Sequence, residues 1–240
     1  MSGGAYSALS GMQARLIDLD RLAADLANVG TAGYKTERDA KFAAERDRFA
    51  AALDSAVDVA PAGSRIDFRA GTIASTGRDL DVAIKGDGFF VVETANGPRY
   101  TRNGAFTRSA DGTLTTMDGE AVLGDGGPIT LTTPGAITIG EDGTVRSGAA
   151  IAGRLQIVSF AEGELERDSG ARFRAVPGVD PTTVDDARVV SGALEQSNVS
   201  VIDRMVALTE INRGFEGLQK GVSVLFNDID ARAISELGKR

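Results

Sequence analysis

Both ends of the chain carry apolar residues at alternating spacings of four and three, and this pattern constrains the fold more than any other feature. The N-terminal stripe comprises Ala5, Leu9, Met12, Leu16, Leu19, Ala23 and Leu26. This is the a/d spacing of a heptad repeat, so it predicts an amphipathic helix. The pattern stops at Asn28, where Gly30 and Gly33 supply helix-ending chemistry.

The C-terminal end repeats the pattern in a wider form. Its stripe comprises Val201, Met205, Leu208, Asn212, Phe215, Gln219, Val222, Phe226, Ile229 and Ala233. Ile211, Leu218 and Leu225 broaden the stripe beyond a two-helix seam. An isolated helix would leave such a stripe in water and gain little stability. The two ends therefore predict helices that pack on each other and on helices of neighbouring subunits.

The middle of the chain follows a different pattern. Short apolar runs such as residues 89–92 and 155–158 alternate with turn signals, among them Asn96-Gly97 and Asp142-Gly143. Asn-Gly and Asp-Gly favour tight hairpins because both central residues of a type I′ turn need a positive φ. The middle is therefore predicted to be antiparallel β-structure with short strands.

The predicted fold class is α+β, with a discontinuous helical coiled-coil domain built from both termini and a central antiparallel β domain. The predicted domains are an N-terminal helical assembly region over 1–60, a β-rich domain over 61–192, and a C-terminal helix over 193–240 that packs with the N-terminal helix. A second helical stretch is expected from about residue 36 to 56.

Composition excludes several function classes. The chain has no Cys and no His, which removes thiol nucleophiles, Ser-His-Asp triads and the common zinc sites. Its net charge of -8 and the lack of a Lys/Arg cluster disfavour nucleic-acid binding. No apolar run is long enough to span a bilayer, and no cleavable signal is visible. We expect no enzyme activity, cofactor, metal or small-molecule substrate.

Two features have alternative interpretations. Asp79 and Asp81 lie at strand spacing and would share one face, which suits a catalytic pair or, more simply, a salt-bridged strand edge. Residues 28–35 combine an Asn, two Gly, a Thr and a Tyr, more than a helix end needs, and indicate a specified structural turn.

Several stretches resemble the flagellar axial proteins of bacteria, the rod, hook and hook-associated subunits. Residues 26–35 are similar to the family's N-L-A-N-x-x-T-x-G-[YF]-[KR] signature, with Asp25 where the family usually has Asn. Residues 76–90, 99–106 and 111–114 are similar to its central motif, and residues 194–199 and 213–216 to its C-terminal pattern. The motif positions are Asn28, Gly33, Tyr34, Gly77, Arg78, Leu80, Asp81, Gly86, Gly88, Phe89, Phe90, Asn198 and Arg213.

The resemblance implies a structural subunit of the basal-body rod that polymerises through its terminal helices into a torque-transmitting shaft. Length and the opening Gly4-Ala5-Tyr6 favour a proximal rod subunit, with a distal one or another axial subunit as the alternative. The implied partners are further copies, other rod proteins and the flagellar type III export apparatus. The implied location is the periplasmic rod, reached without signal cleavage.

The resemblance also implies a role for each region. Asn28, Gly33 and Tyr34 would shape the turn that leaves the first helix, and the β domain, including Phe89 and Phe90, would form an outer layer with lateral contacts. The expected helical interface comprises Leu9, Met12, Leu16, Leu19, Leu26, Met205, Leu208, Phe215, Val222, Phe226 and Ile229.

Two rival functions remain open at this point. One is an extracellular carboxylate enzyme carried on helical arms, which would need Asp79 or Asp81 in a paired-carboxylate cleft. The other is a monomeric β-binding module, which would have ordered, protected helices in the single chain.

Overall fold

The structure, a computed structural model, describes residues 2–39, 64–131 and 135–237. Helix α1 spans Ser2–Ala27 and helix α2 spans Val201–Leu237. The strands between them are β1 Glu37–Asp39, β2 Ser64–Ile66, β3 Ile73–Ser75, β4 Val82–Lys85, β5 Phe89–Thr94, β6 Gly97–Thr101, β7 Phe106–Arg108, β8 Leu114–Thr116, β9 Ala121–Gly124, β10 Gly127–Pro128, β11 Ile137–Ile139, β12 Thr144–Ser147, β13 Ala150–Arg154, β14 Ile157–Ser159, β15 Leu165–Ser169, β16 Arg172–Ala175, β17 Thr182–Thr183, β18 Arg188–Ser191 and β19 Ala193–Glu195.

The predicted fold class is wrong. Within the described residues, a large β-rich region lies between one helix at each end, and no coiled coil formed by the two termini is seen. A coiled coil buries its a and d side chains in the partner's holes. Here Leu16 is 50% exposed and Met205 is 54% exposed. The buried apolar side chain of α1 within its described part is Leu22, which lies off the predicted stripe.

The chain forms two compact units. One contains the two helices, and the other contains residues 28–38 and the strands from residue 65 to 199. The predicted borders at 60/61 and 192/193 stay predictions. The helix expected from about residue 36 is replaced at its start by strand β1, and residues 40–63 lie outside the described part. Over its described residues, neither helix offers an apolar stretch long enough to cross a lipid bilayer.

The β-rich unit is built around one ten-stranded antiparallel sheet. Its strand order is β15-β16-β6-β5-β9-β8-β7, with β10 paired to β9 and β14 paired to β5 and β17. A three-stranded sheet of β11, β12 and β13 and the pairs β4-β18 and β3-β19 complete the unit. A β5-β6 hairpin lies where the Asn-Gly signal predicted one, but its two central residues are Ala95 and Asn96, and Gly97, with φ 89°, already belongs to β6. The turn therefore lacks the positive φ at Asn96 that a type I′ Asn-Gly turn needs.

The central sheet separates two apolar clusters, and neighbouring phenylalanines point into different ones. Phe90 lies in the larger cluster, where its ring meets Phe106 edge-to-face at 5.2 Å. Phe89 lies in the smaller cluster against Phe68 and Phe173. Successive strand residues face opposite sides, so one dipeptide supplies both cores.

Gly104 should tolerate no side chain, because a Cβ there would lie 1.8 Å from the Val82 carbonyl oxygen. We expect Gly104→Ala to lower the free energy of unfolding by about 1–3 kcal/mol or more, since backbone cannot move aside. Gly126 has no heavy atom within 4 Å of a built Cβ, so Gly126→Ala is the matched control. Urea unfolding of both variants measures the difference, and equal effects would contradict the steric account.

Candidate functional site

The residues of the N-terminal signature meet the C-terminal pattern at one place in the β-rich unit. We call this the motif anchor, defined by Gly33, Tyr34, Lys35, Arg102, Arg167, Glu195 and Asn198. Three of these residues, Gly33, Tyr34 and Asn198, were predicted as motif positions, and the structure brings them together.

Two successive turns shape the segment that follows α1. The Thr31 amide donates to the Asn28 carbonyl at 3.0 Å, and the Thr31 hydroxyl donates to Asn28 Oδ1 at 3.1 Å. The Tyr34 amide then donates to the Thr31 carbonyl at 3.2 Å. Gly33 has φ 69°, and a Cβ on it would lie 2.3 Å from the peptide carbon of Arg102. Glycine is therefore required here for both its backbone conformation and its close approach.

The segment that precedes α2 lies alongside this turn. The Gly33 amide donates to the Glu195 carbonyl at 2.8 Å, and the Asn198 amide donates to the Tyr34 carbonyl at 3.3 Å. The Asn198 side chain accepts from the Thr36 amide at 2.8 Å and donates to the Asp67 carbonyl at 2.7 Å. Asn198 thus satisfies backbone groups of two separate segments, which explains why an amide side chain suits this position.

A buried carboxylate shared by two cations lies beneath the turn. Lys35 is 0% exposed and Glu195 is 1% exposed. Glu195 Oε1 accepts from Lys35 Nζ and from the Gly71 amide at 2.9 Å, while Oε2 accepts from Arg102 Nη1 at 3.2 Å. Lys35 Nζ also donates to the Arg69 carbonyl at 2.8 Å.

The electrostatics of the anchor are set by burial. Burial lowers the pKa of Lys35, and the hydrogen bond and charge of Glu195 oppose that shift. Burial likewise lowers the pKa of Arg102, again opposed by Glu195. Arg102 also donates to the Gly86 carbonyl at 2.8 Å and lies 5.4 Å from the Phe89 ring centroid. Loss of Glu195 would leave two buried cations without their main counter-charge.

Arg167 holds the same segment from the other side. Its guanidinium lies over the Tyr34 ring at 4.6 Å and near the Phe173 ring at 5.6 Å. It donates to the Lys35 carbonyl and to Glu37 Oε1. Sequence analysis missed Arg167, because residues 149–186 match no family motif. It also gave no role to Lys35, Arg102 or Glu195, although each lies inside a matched motif.

Further motif positions lie outside the anchor, in turns, in the core or on α2. Gly77, Gly86 and Gly88 have φ of 72°, 103° and 126°. Leu80 packs against the larger core, and both Phe89 and Phe90 are buried. Arg213 is exposed on α2, in the other unit. The roles predicted for these residues stay predictions.

The structure places the predicted helical interface as follows. Leu16 and Met205 are exposed, and the partly buried members are Met12, Leu19, Leu26, Leu208 and Phe215. The side chains of Leu9, Val222, Phe226 and Ile229 lie outside the described residues.

The side chains of the motif anchor bind and position backbone segments. Asp79 is exposed in a turn, whereas Asp81 is buried with Arg78 Nη1 3.6 Å away, so the two carboxylates do not share an environment. Across residues 2–39, 64–131 and 135–237, no three acidic side chains cluster in a way that would hold a metal. An open groove of about 590 Å³ lies beside Lys85 and Arg188.

Glu195→Gln tests the buried charge cluster. We expect it to lower the free energy of unfolding by about 3–5 kcal/mol, because Lys35 and Arg102 would stay buried without their carboxylate. The matched control is Glu166→Gln, whose ion pair with Arg174 is half exposed and should contribute at most about 1 kcal/mol. Denaturant unfolding compares the two variants, and similar losses would refute the proposed importance of burial.

Arg167→Lys tests the second contact. Lysine keeps the charge but lacks the planar fork that stacks on Tyr34 while donating to two oxygens. We expect a loss of about 1–2 kcal/mol in unfolding free energy and faster amide exchange at residues 34–37. Arg174→Lys, on the neighbouring strand β16 but exposed, is the control. Unchanged exchange at residues 34–37 would show that Arg167 does not hold this segment.

Comparison with known proteins agrees with this layout. Residues 83–147 match the model of the flagellar hook protein FlgE/F/G D1 domain, and residues 190–227 match that of the flagellar basal body rod FlgEFG protein C-terminal region. The second match includes Glu195 and Asn198 of the motif anchor.

Curated relatives extend the match over the whole chain. The flagellar basal-body rod protein FlgF of Caulobacter vibrioides is 34% identical, with 100% of this chain and 99% of the relative covered. FlgF of Salmonella typhimurium is 32% identical, covering 97% of each chain. FlgG of Bacillus subtilis is also 32% identical but covers 90% of this chain and 92% of its own. The chain therefore belongs to the family of flagellar basal-body rod proteins and is most like FlgF.

Proposed function

We propose that the chain is a structural subunit of the flagellar rod that assembles through the exposed apolar residues of its two helices. The supporting observation is where the exposed large apolar side chains lie. Six of the ten such residues in the described part of the chain are on α1 or α2: Leu16, Ile17, Val201, Ile202, Met205 and Val206. Ile202 alone is 75% exposed.

The two units differ in how completely they bury their own apolar residues. The β-rich unit closes two clusters that include Val82, Phe90 and Phe173 at 0–2% exposure. The helices leave consecutive apolar side chains of α2 in water. Contiguous exposed apolar residues mark interaction surfaces, and helices of further rod subunits are the natural occupant in a rod-forming family.

Repetition of one such contact generates a rod. A contact between different surfaces of identical subunits extends into a helical filament when its rotation does not close a ring. The filament would include other rod proteins as partners, act as a drive shaft in the basal body, and require no catalytic group or cofactor. Delivery by the flagellar export apparatus to a periplasmic location belongs to the same proposal.

Met205→Asp tests the assembly surface. Burial of a Met side chain contributes about 1.5–3 kcal/mol, so a carboxylate at Met205 should reduce incorporation into rods at least tenfold. The assay is motility and rod content of isolated basal bodies in cells that lack the native gene and express the full-length variant. Ser223→Asp adds the same charge at another exposed position of α2 and is the control.

The variant must still fold for the result to count. A protease-resistant β-rich unit in purified full-length Met205→Asp protein establishes that it does. Normal rod incorporation of a folded Met205→Asp variant would overturn the proposal.

A further inference from the structure

The helical unit contains a buried carboxylate on one helix and an arginine beside it on the other. Asp25 of α1 is 0% exposed. Arg204 of α2 places its Nε 3.4 Å from Asp25 Oδ2, with its side chain 23% exposed. An ionised carboxylate in such an environment is costly unless it is paired. The pair therefore constrains where α2 lies against α1.

A second contact between the helices fits the same alignment of α2 on α1. The Arg15 guanidinium lies over Gly214, where a Cβ would come within 3.2 Å of its Cζ. Arg15 and Asp25 are ten residues apart on α1, and Arg204 and Gly214 are ten residues apart on α2. The order is reversed between the helices, so both contacts belong to one antiparallel arrangement. They span about 15 Å at the α-helical rise.

A shift of register would separate both contacts at once. A one-residue change of register puts a neighbouring residue of α2 beside Asp25, and Arg204 then lies about 100° away around the helix axis. Apolar side chains accept such a shift with modest cost, whereas a buried charge does not. A buried polar group that fixes helix register is well attested in helical assemblies.

We propose that Asp25 and Arg204 are positioning residues that pair within each chain and set the register of α2 on α1. The register decides which apolar residues of the two helices stay outward for the next subunit. This inference rests on the proposed function, because it specifies how the assembly surface is formed.

The test exchanges the two charges in the full-length chain. Asp25→Arg alone and Arg204→Asp alone each place like charges together, and we expect each to reduce rod incorporation at least tenfold. The double variant Asp25→Arg with Arg204→Asp restores opposite charges, and we expect incorporation within about threefold of the native chain. Rods are measured in cells that lack the native gene.

A second measurement does not depend on assembly. Limited proteolysis of the purified full-length protein reports protection of the helices. We expect the single variants to lose protection of α1 and α2 while the β-rich unit stays resistant, and the double variant to regain it. Gly214→Ala should lower protection modestly, because Arg15 would have to move by a few tenths of an ångström.

Each outcome decides between the alternatives. A double variant that fails to restore helix protection overturns the proposed pairing. Restoration on co-expressing the two single variants would place the pair between chains and overturn the within-chain proposal. If charge exchange restores helix protection but Met205→Asp leaves rods intact, the assembly surface is wrong and the pair stands. If Met205→Asp abolishes rods and charge exchange fails to rescue helix protection, the assembly surface stands and the proposed pairing is wrong.

Discussion

The carboxylate of Glu195 holds together the family motifs that meet in the β-rich unit. It accepts from Lys35 at the end of the N-terminal signature, from Arg102 of the central motif, and from the Gly71 amide. Its own backbone carbonyl accepts from Gly33. One residue thus joins four segments that are distant in sequence. Such a buried cluster adds little net stability over an apolar one, but it rejects alternative arrangements that would leave a charge unpaired.

Local chemistry explains which parts of the fold were predictable. Asn96-Gly97 predicted its hairpin, and the Asn28 to Lys35 stretch predicted a specified turn, because backbone preference is decided within a few residues. The partners of Lys35 and Arg167 were not predictable. Lys35 contacts Glu195, which lies 160 positions away in the sequence, and Arg167 contacts Glu37, which lies 130 positions away. Only the folded chain brings these residues together. Arg167, moreover, lies in a stretch that matches no motif.

The helices show a different limit of sequence reasoning. Their period of three and four identified helical segments, but it did not identify the residues that are most buried within the single chain. Leu16 belongs to the predicted stripe and is exposed, whereas Leu22 and Asp25 lie off it and are buried. A wide stripe fits several rotations of the helix nearly equally well, so the apolar pattern alone cannot choose among them. In this chain the buried face of α1 includes the charged residue Asp25, and a search for apolar periodicity does not consider charged residues.

The β-rich unit and the helical unit both contain buried charges, but they differ in how many large apolar side chains they expose. In the β-rich unit, Glu195 pairs with the buried Lys35 and Arg102, and the described surface has few large apolar residues. In the helical unit, Arg204 Nε lies 3.4 Å from Asp25 Oδ2, while apolar side chains such as Ile202 and Met205 stay in water. If apolar contacts alone held α1 to α2, the residues buried between the helices would include those of the proposed assembly surface. Under the proposed pairing, the Asp25–Arg204 pair and the Arg15–Gly214 contact align the helices, and exposed apolar residues such as Ile202 and Met205 would stay available for the proposed assembly.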